Sequence, residues 1–230
     1  MKGNIKLKRE LSIDEIKLLH VLLSQVSNGI FPAHKSYLHF YNYIKQMRNN
    51  IDICKKENYQ SRKELTICLQ EDWKSIFTEQ KNIQTFHISC NDIDEQYRKN
   101  IEIQNDIKEI DKILEANNST VSELFNRKWY STRELEKIGR TFIEQEEIWN
   151  LQINEIKHKY GMCKSPISII SDEIWTYAKF LCICAEEEEL LKWFHEEVPA
   201  YRYLIPINVL KLLNGDMILK DFMLNMHTLM

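Results

Sequence analysis

Apolar residues recur every three or four positions along most of this 230-residue chain, the period of helices that bury one face, so the pattern predicts an all-α fold. The first such run opens on a capping box, Ser12-Ile-Asp-Glu15, in which the serine oxygen meets an orphan backbone N–H and the glutamate reaches back to the cap. Ile13, Ile16, Leu19, Leu22, Leu23 and Val26 then give one apolar face, and the run closes near Gly29. Phe31-Pro32 carries the chain into the next helix, since proline is tolerated in a first turn.

Residues 33–138 contain neither glycine nor proline, the two residues that most strongly interrupt regular backbone. Inside this stretch Ile44, Met47, Ile51 and Cys54 step by three and four, and the phase passes through polar Asn58 and Ser61 to Leu65 and Cys68. A shifted phase runs through Leu69, Trp73, Ile76, Phe86, Cys90, Ile93 and Tyr97, and Ile103, Ile107, Ile110 and Leu114 resume the pattern. An unbroken helix from Ala33 to Ala116 would be about 125 Å long, so a bend or loop within it is expected. Asn117-Asn-Ser-Thr120 is the place for the chain to reverse, followed by a second capping box, Thr120-Val-Ser-Glu123. Val121, Leu124, Leu135, Ile138, Phe142, Trp149 and Ile156 mark the returning helix, with Lys128, Ser131, Gln145 and Gln152 as polar interruptions, and it ends at Tyr160-Gly161. The pattern thus predicts a long antiparallel coiled-coil hairpin.

Beyond Gly161 the composition turns aromatic and proline returns. Ile170, Ile174, Tyr177, Leu181 and Cys184 form one face, Trp175, Trp193 and Phe194 thicken it, and Pro206 to Gly215 reads as a short helix. The final stretch, Asp216 to Met230, is apolar on most sides and rich in methionine. Three segments follow: a basic N-terminal arm and helix (1–30), the long hairpin (31–161), and a small C-terminal helical module with a Met-rich tail (162–230).

Charge adds an asymmetry to this picture. The net value of −3 conceals +7 over residues 1–63 (twelve Lys/Arg, five Asp/Glu) and −10 over residues 64–230 (nineteen and twenty-nine). Six cysteines without a C-x-x-C pair fit reduced thiols, and no stretch of the chain approaches a membrane span. The expectation is an intracellular protein, cytoplasmic or nuclear.

Chemistry finds little footing. Glu155-Ile-Lys-His158 has the Glu-x-x-His spacing of di-iron bundles but occurs once where such sites need two. His87-Ile-Ser-Cys90 and Cys182-Ile-Cys184 match no four-ligand zinc spacing, and the isolated glycines make no phosphate loop. The acidic run Glu186 to Glu189 reads as a solvated helix face. No catalytic, cofactor-binding or metal-ligating residue is assigned, and no cofactor is expected.

The expected function is therefore a non-enzymatic structural or interaction protein, a coiled-coil subunit or scaffold of a larger assembly. Its partners would be other proteins, or further copies of itself. They would meet the coiled-coil seam (Ile44, Met47, Ile51, Ile107, Ile110, Leu114) and the apolar tail (Met217, Leu219, Phe222, Met223, Met226), because flexible thioethers repack around varied surfaces. One alternative is a nucleic-acid-associated regulator using the basic residues Lys2, Lys6, Lys8 and Arg9. A helical metal-dependent enzyme is the remote one.

Overall fold

The computed structural model of the chain describes residues 9–30, 37–79, 86–116, 127–182 and 186–227. Its regular elements are helices; the sole β pairing among the described residues is an isolated antiparallel bridge, Val198 to Leu204. The first helices are α1 (Ile13–Ile30), α2 (Leu38–Lys56), α3 (Arg62–Glu79) and α4 (Ile93–Ile113). After them come α5 (Thr132–Thr141), a 3₁₀ turn (Phe142–Gln145) and α6 (Glu146–Tyr160). The chain closes with α7 (Asp172–Tyr177) running into a π-type turn (Ala178–Cys182), α8 (Glu187–His195), a 3₁₀ turn (Pro199–Tyr201), α9 (Pro206–Val209) and α10 (Gly215–His227).

These helices form two compact units, residues 1–89 with 98–127 and residues 90–97 with 128–230, which group the chain otherwise than the segments 1–30, 31–161 and 162–230. In the first unit α1 packs on α2 and α2 on α3. The capping box at the start of α1 forms as expected: Ser12 N donates to Glu15 Oε2 at 2.8 Å, and Glu15 N donates to Ser12 Oγ at 3.2 Å. Ile44, Met47, Ile51 and Cys54 of α2 and Leu65, Leu69, Trp73 and Ile76 of α3 are buried, as the spacing implies.

This long stretch is divided, as its length led one to expect. Between α2 and α3 the backbone of Asn58 (φ 52°) and Tyr59 (φ 60°) turns left-handed, and Tyr59 N donates to Cys54 O at 2.8 Å. That bond satisfies a terminal carbonyl of α2 and ends the helix without glycine. Asn58 and Ser61, the weak middle of the expected seam, are turn residues; asparagine is the non-glycine side chain that enters this region with least strain.

A second interruption lies ahead of α4, where residues 86–90 have no regular secondary structure. Asn100 holds them: its Nδ2 donates to Ile88 O at 2.8 Å while its Oδ1 accepts from Ile88 N at 2.8 Å, all buried. Phe86 packs edge-on against Tyr37 and Phe40, at 4.9 and 5.8 Å between ring centroids. Phe86 and Cys90 therefore sit outside any helix. The expected reversal at Asn117 to Thr120, the capping box at Thr120, and Val121 and Leu124 lie outside the described residues.

In the second unit the returning helix is also divided. Ser131 is the N-cap of α5 in a complete capping box with Glu134, and Lys128 precedes it with its ammonium 4.9 Å from the centre of the Tyr130 ring. Gln145 closes the 3₁₀ turn, and Gln152 accepts a hydrogen bond from the Tyr177 hydroxyl. Each polar interruption of the seam thus has a local structural task. The end at Tyr160-Gly161 holds, with Gly161 at φ 80°.

The core of this unit is aromatic. Trp149 stacks on Tyr177 at 4.3 Å, Trp175 on Phe194 at 5.8 Å and Tyr201 on Phe222 at 4.9 Å between centroids. Around them sit Leu135, Phe142, Ile153, Ile174, Leu190 and Val209. Helix α9 spans only Pro206–Val209, and Gly215 opens α10 instead of closing α9. A Cβ on Gly215 would lie 2.2 Å from Val209 O, so only glycine lets the two helices approach this closely.

Candidate functional site

The partner-binding residues expected from sequence are almost all interior. Ile44, Met47, Ile51, Ile107, Ile110 and Leu114 are buried in the first unit, and Leu219, Phe222 and Met223 in the second. Met217 and Met226 are half-buried and pack against the aromatic cluster. α10 is apolar on most sides because α5, α9, the 3₁₀ turn at Phe142 and the π-type turn all contact it. In this structure these side chains fill the chain's own core.

The residues considered for chemistry are dispersed. Glu155 and His158 are both exposed on α6, and among the described residues no group of three or more His, Cys, Asp or Glu side chains could hold a metal ion. Glu187, Glu188 and Glu189 occupy the exposed first turn of α8, where carboxylates complement the positive end of the helix dipole. Cys54 is buried; the Cys68 thiol is pushed up by burial and by Asp72, away from thiolate reactivity. Lys2, Lys6 and Lys8 and residues 183–185 lie outside the described residues. Arg9 pairs with Glu15 at 2.6 Å and with Glu115 at 3.5 Å, so it is held within the first unit.

Two polar features escaped the sequence reading. A hollow of about 920 Å³ lies in the first unit beside Gln25, Asn28 and Gly29 of α1 and Arg98, Glu102 and Asp106 of α4. Its charges are mixed: Arg98 is paired with Glu102 at 3.2 Å, and burial, then Glu102, pushes the Asp106 carboxyl up. In the second unit Glu173 lies between Lys157 at 2.8 Å and Lys220 at 3.8 Å, which holds its carboxyl below the usual range. Lys220 also covers the Trp149 ring at 5.3 Å. That cluster is internally satisfied and pins α6, α7 and α10 together.

What the fold leaves outward is a set of apolar side chains on otherwise polar helix faces. Leu151 is 73% exposed, Ile148 51% and the neighbouring Ile143 68%. Trp149, Ile153 and Ile156 take the inward face of α6, so Ile148 and Leu151, three apart, share an outward one. Glu144, Glu146, Glu147 and Glu155 surround them, all exposed. Exposed apolar residues on α2, Leu38 and Ile53, lie among Lys45, Lys55 and Lys56.

No helix among the described residues is long and apolar enough to cross a membrane. Compared with family models, curated proteins and solved structures, the chain matches none of them.

Proposed function

We propose that this chain is a non-enzymatic interaction protein, a helical subunit or scaffold of a larger protein assembly inside the cell, in cytoplasm or nucleus. The observation that carries the reading is the outward pair Ile148 and Leu151 on α6, 51% and 73% exposed. Large side chains left in water on a helix whose opposite face is fully packed favour contact with a further surface. The aromatic core behind α6, with the tail helix α10 packed in it, supplies rigidity for that contact. Coiled-coil pairing through a long hairpin, as the spacing alone suggests, becomes in this reading a pairing by the outer helix faces.

The test is purification of the tagged full-length protein from its native source at gentle salt, with mass spectrometry and light scattering on the product. Defined partner chains in fixed ratio support the reading, and their loss in Leu151→Glu ties them to α6. A chain that elutes alone, unchanged by that substitution, overturns it.

A further inference from the structure

Two exposed helix faces of this chain are complementary in charge. On α6, Ile148, Leu151, Glu155 and His158 follow one another at helical spacing, all exposed, with Glu144 and Glu147 beside them. The cations of that helix are engaged elsewhere, Lys157 on Glu173 at 2.8 Å and Lys159 over the Tyr160 ring at 4.9 Å. On α2, Leu38, Lys45, Asn49, Ile53 and Lys56 likewise step by multiples of a helical turn and are exposed. The one carboxylate of that helix, Asp52, is turned to His20 at 3.2 Å, leaving Lys45, Lys55 and Lys56 on the outside.

The α6 face therefore has an apolar pair between carboxylates, and the α2 face has Ile53 between Lys45 and Lys56. Pairing either face with its own copy would set carboxylate against carboxylate or ammonium against ammonium, which costs association free energy. Opposite faces fit. We propose that the α6 face of one molecule docks on the α2 face of a second copy, Ile148 and Leu151 meeting Ile53 while Glu144 and Glu155, eleven residues apart, meet Lys45 and Lys56, also eleven apart.

This rests on the interaction reading above and names its partner surface. The contact is heterologous, so every molecule offers one face of each kind and the chain closes into a ring or extends as a row. Its charges sit at the rim and are screened as the Debye length falls from about 10 Å at 0.1 M salt to about 3 Å at 1 M.

Sedimentation and light scattering of the full-length protein test the proposal. At about 0.1 M salt the weight-average mass rises with concentration to about twice the monomer value or more, and it falls back toward the monomer at about 1 M. Two charge-reversed variants sharpen this: Glu144→Lys in the 3₁₀ turn with Glu147→Lys and Glu155→Lys on α6, and Lys45→Glu with Lys56→Glu on α2. Each alone stays monomeric, and an equal mixture of the two associates again, because the reversed α6 face now meets a reversed α2 face. Circular dichroism confirms that both variants keep the wild-type helix content. A wild-type protein monomeric at every concentration, variants that associate as well as wild type, or a mixture that does not associate each overturn the proposal. A monomeric result leaves co-purification with other proteins untouched, so the two readings fail separately.

Discussion

The first unit buries mostly aliphatic side chains and uses buried amides to hold its irregular backbone, whereas the second buries stacked aromatic rings and holds its helices with few such amides. In the first, Asn100 clamps Ile88, Gln70 Nε2 donates to Leu114 O at 3.1 Å, and Trp73 Nε1 donates to Asp111 Oδ1 at 3.0 Å. In the second, four of the chain's five tryptophans are present. The difference teaches how a chain nearly free of glycine and proline makes turns. Where a segment between helices is irregular, a side-chain amide can replace the missing backbone partner at both N–H and C=O. Where helices are short and cross at many angles, broad rings fill the irregular space between them.

The second unit is most vulnerable at Trp149. Trp149→Ala removes the ring stacked on Tyr177 and covered by Lys220, and should cost about 3–5 kcal/mol, the usual range for a buried aromatic truncated in a core. Hydrogen exchange read by peptide should show faster exchange across α6, α7 and α10, with α2 and α3 close to wild type. Equal loss of protection in both units would mean that the aromatic cluster is not the particular support of the second.

A smaller effect is expected from Asn100→Ala in the first unit. It leaves the N–H and C=O of Ile88 without their partner and should cost about 1–3 kcal/mol in denaturant melts. Residues 86–92 should lose protection first. An unchanged melting midpoint would show that the amide is not what keeps this segment out of a helix.

The smallest effects concern protons, and they have opposite signs at Glu15 in the first unit and Asp221 in the second. Arg9, with the Ser12 backbone N–H, holds the Glu15 carboxyl down to about 2. Its folded form binds fewer protons than its unfolded form, so its contribution is present above the ordinary carboxylate value, about 4.3, and is lost as pH falls through about 2. Glu15→Gln should flatten that acid-side loss in α1. Asp221 is the reverse: burial pushes its carboxyl up against a bond from Asn225 Nδ2 at 3.1 Å. The folded unit takes up its proton more readily, so acidification relieves a cost present at neutral pH. Asp221→Asn should raise the thermal midpoint at pH about 7, with the gain shrinking as pH falls toward about 4. A gain that grows on acidification would contradict the burial account.

Much of this architecture was legible in the sequence. The Ser12-to-Glu15 box, the α1 face and the Ile44, Met47, Ile51, Cys54 phase all depend on contacts within a few residues, which periodicity reports directly. The places where the long stretch divides were not. Asn58, Ser61 and Ser131 carried the signal, because polar residues at seam positions are also the residues that favour turns and caps. Reading Ser131 with Glu134, three residues on, would have found the start of α5. The outer faces of α2 and α6 were illegible for a different reason. An exposed Leu151 differs from a buried Leu135 only in what packs on it, and Met217, Met223 and Met226, expected as a contact for partners, lie on α10, which α5 and α9 contact.

By itself the sequence determined that the chain is helical, where its first helix begins, and which side of each helix is apolar, since these follow from local hydrogen bonding and from the 3.6-residue period. Only the tertiary structure decided where the long apolar run breaks and which apolar residues remain outside. Both outcomes depend on distant partners, Asn100 for Ile88 and Tyr177 of α7 with Lys220 of α10 for Trp149, and burial is a property of the packed neighbours instead of the residue.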